Sequence, residues 1–301
     1  MTVRYSIFDV FTDDAFAGNP LAVVYGADAL SDEAMQMIAG EFNLSETVFI
    51  REPEGREADW GLRIFTPKAE LPFAGHPTVG AAVALALDTG QADKTRRFVL
   101  EEKVGDVTAN ARVTGERSGA AQFFLPQLSE QVGDLPDLSE IAAVLGLKTG
   151  DLLDTPITGG LWSAGVPFAI VPVRHPERLT EIHLDLARFE AVFGTCEAKD
   201  VLVVAKATAS EHTLNWRTRM FAPLLGIPED PATGSAAAAF SGLIAQQCGL
   251  GDGTHGIDVY QGVEMGRPSL IRMRLEIEGG RLSDVLIGGE AVQIAAGELF
   301  V

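Results

Sequence analysis

Three side chains in this sequence have the type and setting for proton transfer without a metal: Glu46, His76 and Asp230. Glu46 follows a helical stretch and opens the strand-like run Thr47-Val48-Phe49-Ile50. There it reads either as a solvated turn residue or as a carboxylate at a strand edge beside an apolar core. In the second setting, partial desolvation raises its pKa towards that of a usable general acid or base. His76 lies in Gly75-His76-Pro77-Thr78-Val79-Gly80, where it occupies the expected helix N-cap with Pro77 first in the helix. Histidine caps poorly beside Ser, Thr, Asp or Asn, which tips His76 towards chemistry. Asp230-Pro231 is an ordinary helix start, and Asp230 gains a chemical claim only by holding, in a second copy of the motif, the place of His76 in the first. On the same alignment Thr233, Gly234 and Ser235 mirror Val79, Gly80 and Ala81, with amides and hydroxyls suited to a carboxylate. Asn19, in Phe16-Ala17-Gly18-Asn19-Pro20, reads as a turn residue or as a further polar group for substrate.

The elements that must position these groups are legible in the pattern. After Pro77 the sequence is small and apolar on every side, which predicts a helix buried all round with its N-terminal amides aimed at the preceding loop. Such a helix start is a ready anion site. The motif recurs. Arg63-Ile64-Phe65-Thr66-Pro67 matches Arg219-Met220-Phe221-Ala222-Pro223, and Pro77, Gly80 and Ala82 match Pro231, Gly234 and Ala236. An earlier pair keeps the order: Ala17-Gly18-Asn19-Pro20 against Ala164-Gly165-Val166-Pro167. Spacing and order together predict a duplicated domain of ordinary size.

Around the two motifs the predicted elements are strand-rich. Strands are expected over 3–10, 21–24, 46–50 and 60–65, with further β signal at 97–113. A helix should begin near Ser31, carry Met35, Ile38, Ala39 and Phe42 on one face, and stop around Asn43. The second half offers a strand at 121–125, a helix at 138–147, a turn and strand at 161–173, a helix at 184–193 and strands at 201–205 and 213–221. The tail reads as strands at 257–263, 270–276, 282–288 and 290–295 separated by Gly-rich turns. This is an α+β pattern and disfavours a Rossmann sheet. The expected crossing between halves lies within residues 105–119, giving an N-terminal half of residues 1–115, joined by about 296–301, and a C-terminal half of 116–295.

Composition excludes several classes. The 301 residues, 47% of them hydrophobic, suffice for two packed cores. A formal net charge of −19 argues against nucleic acid as a partner, because phosphate binding needs clustered Lys and Arg. In so acidic a chain a small anionic metabolite needs a local favourable field, which helix-start amides supply. No apolar run approaches the roughly 18 residues that span a bilayer, and the start lacks the plan of a signal peptide. Two distant cysteines, Cys196 and Cys248, fit a reducing cytoplasm. His76, His175, His183, His212 and His255 show no metal spacing, and neither loop matches a nucleotide-binding or serine-nucleophile motif. No cofactor is expected.

The sequence resembles the PhzF family, the phenazine-biosynthesis isomerase-like proteins related to diaminopimelate epimerase. The resemblance is carried by Phe8-Asp9-Val10-Phe11-Thr12, Ala17-Gly18-Asn19-Pro20, Ser45-Glu46-Thr47, Gly75-His76-Pro77-Thr78, Asp230-Pro231-Ala232-Thr233-Gly234-Ser235, Tyr260-Gln261-Gly262 and Gly297-Glu298-Leu299. It implies two pseudo-symmetric domains of diaminopimelate epimerase-like fold. Each would be a mixed, largely antiparallel sheet wrapped around a central helix, with the site in the cleft between them and a homodimer as the assembly. It also implies roles: Glu46 as the proton-shuttling carboxylate, His76 and Asp230 as its polar partners, and Gly75, Gly234 and Ser235 lining the pocket. The implied reaction is the cofactor-independent shift of a proton and double bond in trans-2,3-dihydro-3-hydroxyanthranilate or a similar small acid. The epimerase relatives use one cysteine per loop; here neither loop has one, so a two-thiol mechanism is excluded. An amino-acid racemase with Glu46 and Asp230 as opposed bases, or a small-acid binding protein without chemistry, are the competing expectations.

Overall fold

The computed structural model describes residues 1–90, 94–153, 157–207 and 213–301, the side chain of residue 213 excepted. The chain divides into two compact units, one of residues 1–126 and 287–301 and the other of residues 127–286. No helix among the described residues is long and apolar enough to cross a membrane.

In the first unit β1 (Thr2–Val10) and β2 (Asn19–Val24) pair antiparallel, from Tyr5 opposite Val24 to Val10 opposite Asn19. Gly18, at φ +65°, makes the turn, and any Cβ there would strike the Val10 carbonyl. Asn19 is therefore released from the turn role its neighbours suggest and is the fully buried first residue of β2. α1 (Asp32–Phe42) starts and stops as the spacing predicts. The Ser31 hydroxyl accepts the Ala34 N–H at 3.2 Å, and Asn43 closes the helix in the left-handed region at φ 50°. Buried Met35, Ile38 and Ala39 hold its face on the core with Phe49 and Phe65.

That packing delivers the chain to β3 (Glu46–Arg51), parallel to β2 and antiparallel to β4 (Trp60–Phe65). A short β5 (Glu70–Leu71) turns back along β4 and leads into α2 (Gly75–Asp88), buried at every position from 75 to 86. β6 (Arg96–Glu102), β7 (Gly105–Val113) and β8 (Ser118–Phe124) then run as successive antiparallel neighbours. The expected crossing at residues 105–119 is thus a hairpin inside the first unit, and the chain leaves that unit after Pro126.

The second unit opens with β9 (Glu130–Gly133), α3 (Leu138–Leu145), β10 (Gly160–Ser163) and β11 (Pro167–Pro172). The short α4 (Glu177–Thr180) and α5 (Leu186–Phe193) follow, then β12 (Asp200–Lys206), β13 (Thr213–Ala222) and β14 (Ile227–Asp230). β11 and β12 are parallel, whereas β12, β13 and β14 are antiparallel in turn. Phe189 and Phe193 of α5 and Ile141 of α3 cover Val201 and Val203, making one apolar core. α6 (Gly234–Gln247) is mostly buried, and β15 (Gly253–Gln261) and β16 (Ser269–Glu278) form a long antiparallel pair.

The tail departs from expectation. A single 20-residue strand, β17 (Arg281–Phe300), replaces two strands and a turn. Gly288 is an extended residue, and it is glycine because a Cβ would strike the Ala121 carbonyl of β8. From Ile287 onwards this strand belongs to the first unit, where it pairs with β1 from Thr2 opposite Phe300 to Val10 opposite Ala291.

Candidate active site

α2 begins two residues earlier than the proline spacing suggests. Ala74, extended at φ −152° and ψ 134°, is its N-cap without a side-chain bond, and Gly75 is its first residue. His76 is therefore second and Pro77 third, not cap and first. Proline is tolerated there because a first-turn N–H has no intrahelical acceptor in any case. Thr78 closes the first turn onto the Ala74 carbonyl at 3.2 Å, leaving the Gly75 and His76 amides without an intrahelical partner.

The first unit brings Glu46, His76 and Asn19 together. The His76 ring is buried, and its Nδ1 lies 3.3 Å from Glu46 Oε2 and 3.4 Å from Asn19 Nδ2. Burial pushes the imidazole pKa down to about 3, so the ring is neutral at ordinary pH. The Glu46 side chain is only 14% exposed, which removes the solvated-turn reading. One ring nitrogen cannot donate to Glu46 and accept from Asn19 at once. Asn19 Nδ2 can only donate, so the hydrogen bond at Nδ1 is accepted from Asn19, while Glu46 Oε2 approaches the same nitrogen as a close polar neighbour without hydrogen-bond geometry. Buried Nε2 has no hydrogen-bond partner among the described residues.

Beneath this turn lies Glu102, which sequence reasoning missed. It is 5% exposed, its Oε1 is 2.8 Å from the Thr78 hydroxyl, and burial lifts its pKa to about 8 against the smaller opposing effect of that bond. The signal was present: Glu102 is in phase with buried Phe98 and Leu100, an acid on the apolar face of its strand.

In the second unit Asp230 ends β14 and pairs with Met220; it is not a helix cap. Thr233 is the N-cap of α6, and Gly234 and Ser235 open the helix. Counted from the first helical residue, Ser235 matches His76, Thr233 matches Ala74, and Asp230 matches Leu71. The proline that matches Pro231 is Pro72, in the loop, and not Pro77, in the helix. Asp230, Thr233, Gly234 and Ser235 are nonetheless held in one loop and helix start. The Thr233 hydroxyl donates to Asp230 Oδ2 at 2.5 Å. Gln261 Nε2 donates to the Asp230 carbonyl at 2.8 Å and to Thr233 Oγ1 at 3.0 Å, while Gln261 Oε1 accepts the Thr233 N–H at 3.3 Å. Gln261, buried in phase with Ile257 and Val259, is the hub that fixes this loop. Gly262, at φ +73°, lets the following backbone pass Pro231 where a Cβ would clash with its carbonyl.

A second carboxyl stands beside Asp230. Asp200 opens β12, two residues from Leu202, which pairs with Met220, itself opposite Asp230; alternation puts both acids on one sheet face. Burial first, and then the charge of Asp230, raise the Asp200 pKa to about 6. No motif in the sequence marks Asp200. His212 lies outside the described residues.

Both helix starts follow the same ionic device. Arg63 grips Glu70 through Nε and Nη2 at 2.7 and 2.8 Å, and Arg219 grips Glu229 through Nε and Nη2 at 2.8 Å each. Each guanidinium also lies over a phenylalanine two residues on, Phe65 at 5.2 Å and Phe221 at 5.0 Å.

Comparison with known proteins places this arrangement. The family model described as phenazine biosynthesis-like protein matches residues 8–297. The chain is 42% identical to a Mesorhizobium japonicum protein named an uncharacterized isomerase, covering 100% of this chain and 99% of the other. It is 36% identical to the trans-2,3-dihydro-3-hydroxyanthranilate isomerase of Pseudomonas aeruginosa, covering 99% of each. The crystal structure of a Bacillus anthracis phenazine biosynthesis protein of the PhzF family superposes with a TM-score of 0.88 at 25% identity, over 100% of each chain.

Proposed function

The chain belongs to the phenazine biosynthesis-like (PhzF) family and is an isomerase, and from that premise we propose that it moves a proton and a double bond on a small carboxylated substrate. The substrate class is that of the trans-2,3-dihydro-3-hydroxyanthranilate in the name of its Pseudomonas aeruginosa relative. Glu46 takes a proton from one carbon and returns it to another on the same face, so the product is an isomer and no cofactor is consumed. Neutral His76 stands 3.3 Å from Glu46 and offers Nε2 to a polar group of the substrate. Asp230, oriented by Thr233 and Gln261, binds a second polar group. The amides at the starts of α2 and α6 supply the field that a carboxylate needs in a chain of net charge −19.

The observation that carries the proposal is the 3.3 Å approach of Glu46 Oε2 to a buried, neutral imidazole at a helix start with unused amides. Solvent-deuterium incorporation into candidate amino and hydroxy acids tests it. Wild type should exchange one substrate hydrogen, and Glu46→Gln should not; full exchange in the variant would overturn the assignment of Glu46. The Asp200–Asp230 pair favours a second reading, in which Asp230 is an opposed base of a racemase. Deuterium uptake with inversion at one α-carbon, abolished by Asp230→Asn, distinguishes it from a double-bond shift. The matched Arg–Glu forks and the two 14-residue helices support descent of the two units from one ancestral domain. The family resemblance supports a homodimer.

A further inference from the structure

The Thr78 hydroxyl has one proton and two neighbours at 2.8 Å, the Ala74 carbonyl oxygen and Glu102 Oε1. A carbonyl only accepts and one proton cannot serve two acceptors at full strength, so two full hydrogen bonds form when Thr78 donates to Ala74 and Glu102 donates to Thr78. Only an undissociated carboxylic acid can do that. We propose that Glu102 is a positioning residue that, as a neutral acid, locks Thr78 onto the Ala74 carbonyl and so fixes the α2 first turn that presents the Gly75 and His76 amides. The inference rests on the reading that this helix start belongs to the active site.

The surroundings keep Glu102 neutral without a cationic partner. Its chain neighbours are engaged elsewhere: Glu101 accepts the Gly55 N–H at 2.5 Å and the Glu54 N–H at 3.1 Å, and Lys103 is paired with Glu70. On α2 the titratable residues are His76, which is neutral, and Asp88, which is paired with Arg4. β7 carries Asp106 and Arg112, β8 carries no charged residue, and the remaining charges of β6 are Arg96 and Arg97. None of these is among the causes that shift Glu102; burial dominates, and the acid ionises at about pH 8.

Ionisation reverses the lock. The Thr78 proton turns to the new carboxylate, the Ala74 carbonyl loses its donor, and a buried negative charge competes with substrate for the positive end of α2. Substrate binding then weakens at alkaline pH through KM, with kcat less affected.

The test uses the full chain and needs no substrate: the amide resonances of Gly75 and His76 are followed by NMR from pH 6 to 10. In wild type both should move with one midpoint near 8. In Glu102→Gln, whose amide donates to Thr78 but does not ionise, both should stay at the wild-type low-pH positions. In Thr78→Val, which keeps the shape but breaks the relay, the shift at that midpoint should shrink to the part caused by the Glu102 charge alone. Resonances that do not titrate in wild type, or that titrate equally in Glu102→Gln, overturn the proposal. Loss of deuterium exchange in Glu46→Gln bears on the site itself, so the two failures are distinguishable. Where turnover is measured, KM should rise by tenfold per pH unit above 8 in wild type and remain flat in Glu102→Gln.

Discussion

The starts of α2 and α6 are built on one backbone plan and loaded with different acids. Each follows a strand pair clasped by an Arg–Glu fork, each helix has 14 residues, and each begins with a buried glycine. In the first unit a low-pKa imidazole with Glu46 beside its Nδ1 stands at the helix start, and Glu102, its pKa raised by burial, lies below. In the second, two carboxyls lie on one sheet face, and a Gln–Thr relay points its donors at one of them. The lesson is that the helix start supplies a fixed field, and the residues packed around it decide what protons do there. Two helix starts of similar build can therefore carry different chemistry, and the proposed function gives proton movement to the first and substrate polarisation to the second.

The largest expected effect breaks that division on its catalytic side. Glu46→Gln should lower the isomerisation rate by roughly 10²–10⁴-fold, the usual worth of a general acid–base group, as read from solvent-deuterium exchange. Cutting the forks tests whether the two plans are energetically alike. Arg63→Met and Arg219→Met should each destabilise by about 2–4 kcal/mol in urea unfolding, because each strands a half-buried glutamate. Arg219→Met should cost more: Glu70 keeps Lys103 and the other partner of Arg63, Asp32, is exposed and returns to water, whereas Arg219 also donates to the Leu179 carbonyl at 2.7 Å. Equal costs would show that the additional partners contribute nothing.

Smaller effects sharpen the acid difference. Asp200→Asn should lower KM for a carboxylated substrate by about three- to tenfold above pH 6 and leave it unchanged below, because only above its pKa does Asp200 add a repelling charge. Stability against pH separates the two buried groups of the first unit. Glu102 rises from 4.5 to about 8 on folding, so its contribution is complete below 4.5 and is lost as pH climbs to 8. Wild type should thus lose stability relative to Glu102→Gln by at most about 1.4 kcal/mol per pH unit over that window. His76 falls from 6.5 to about 3, so the opposite slope, loss as pH drops through that range, should vanish in a His76→Asn variant. Thermal melts of the three proteins across pH 3–9 read both slopes.

What the sequence shows follows from which forces are local. α1 was legible to the residue because Ser31, Asp32 and Asn43 act on their own helix. The burial of α2 was legible from composition, and Glu46 from its place at the mouth of a strand. The helix starts were misplaced because proline restricts conformation equally well in a loop and in a first turn, so Pro77 and Pro231 looked equivalent when Pro72 and Pro231 are. That error also set Asp230 against His76. The expected break between 288 and 290 is absent, and the reason Gly288 is glycine, the Ala121 carbonyl, lies on a strand far away in the chain. Asp200 and Gln261 were missed for the same cause: what makes them matter is contact across strands.

The long strand that closes the chain sets an order of events during synthesis. β1 leaves the ribosome well before the neighbour that covers its second edge, from Thr2 to Val10. The whole second unit is translated while that edge stands open to any other strand. The nascent protein must therefore shelter an unfinished sheet until β17 is free, and losing β17 would leave β1 as an aggregation-prone border instead of an interior strand.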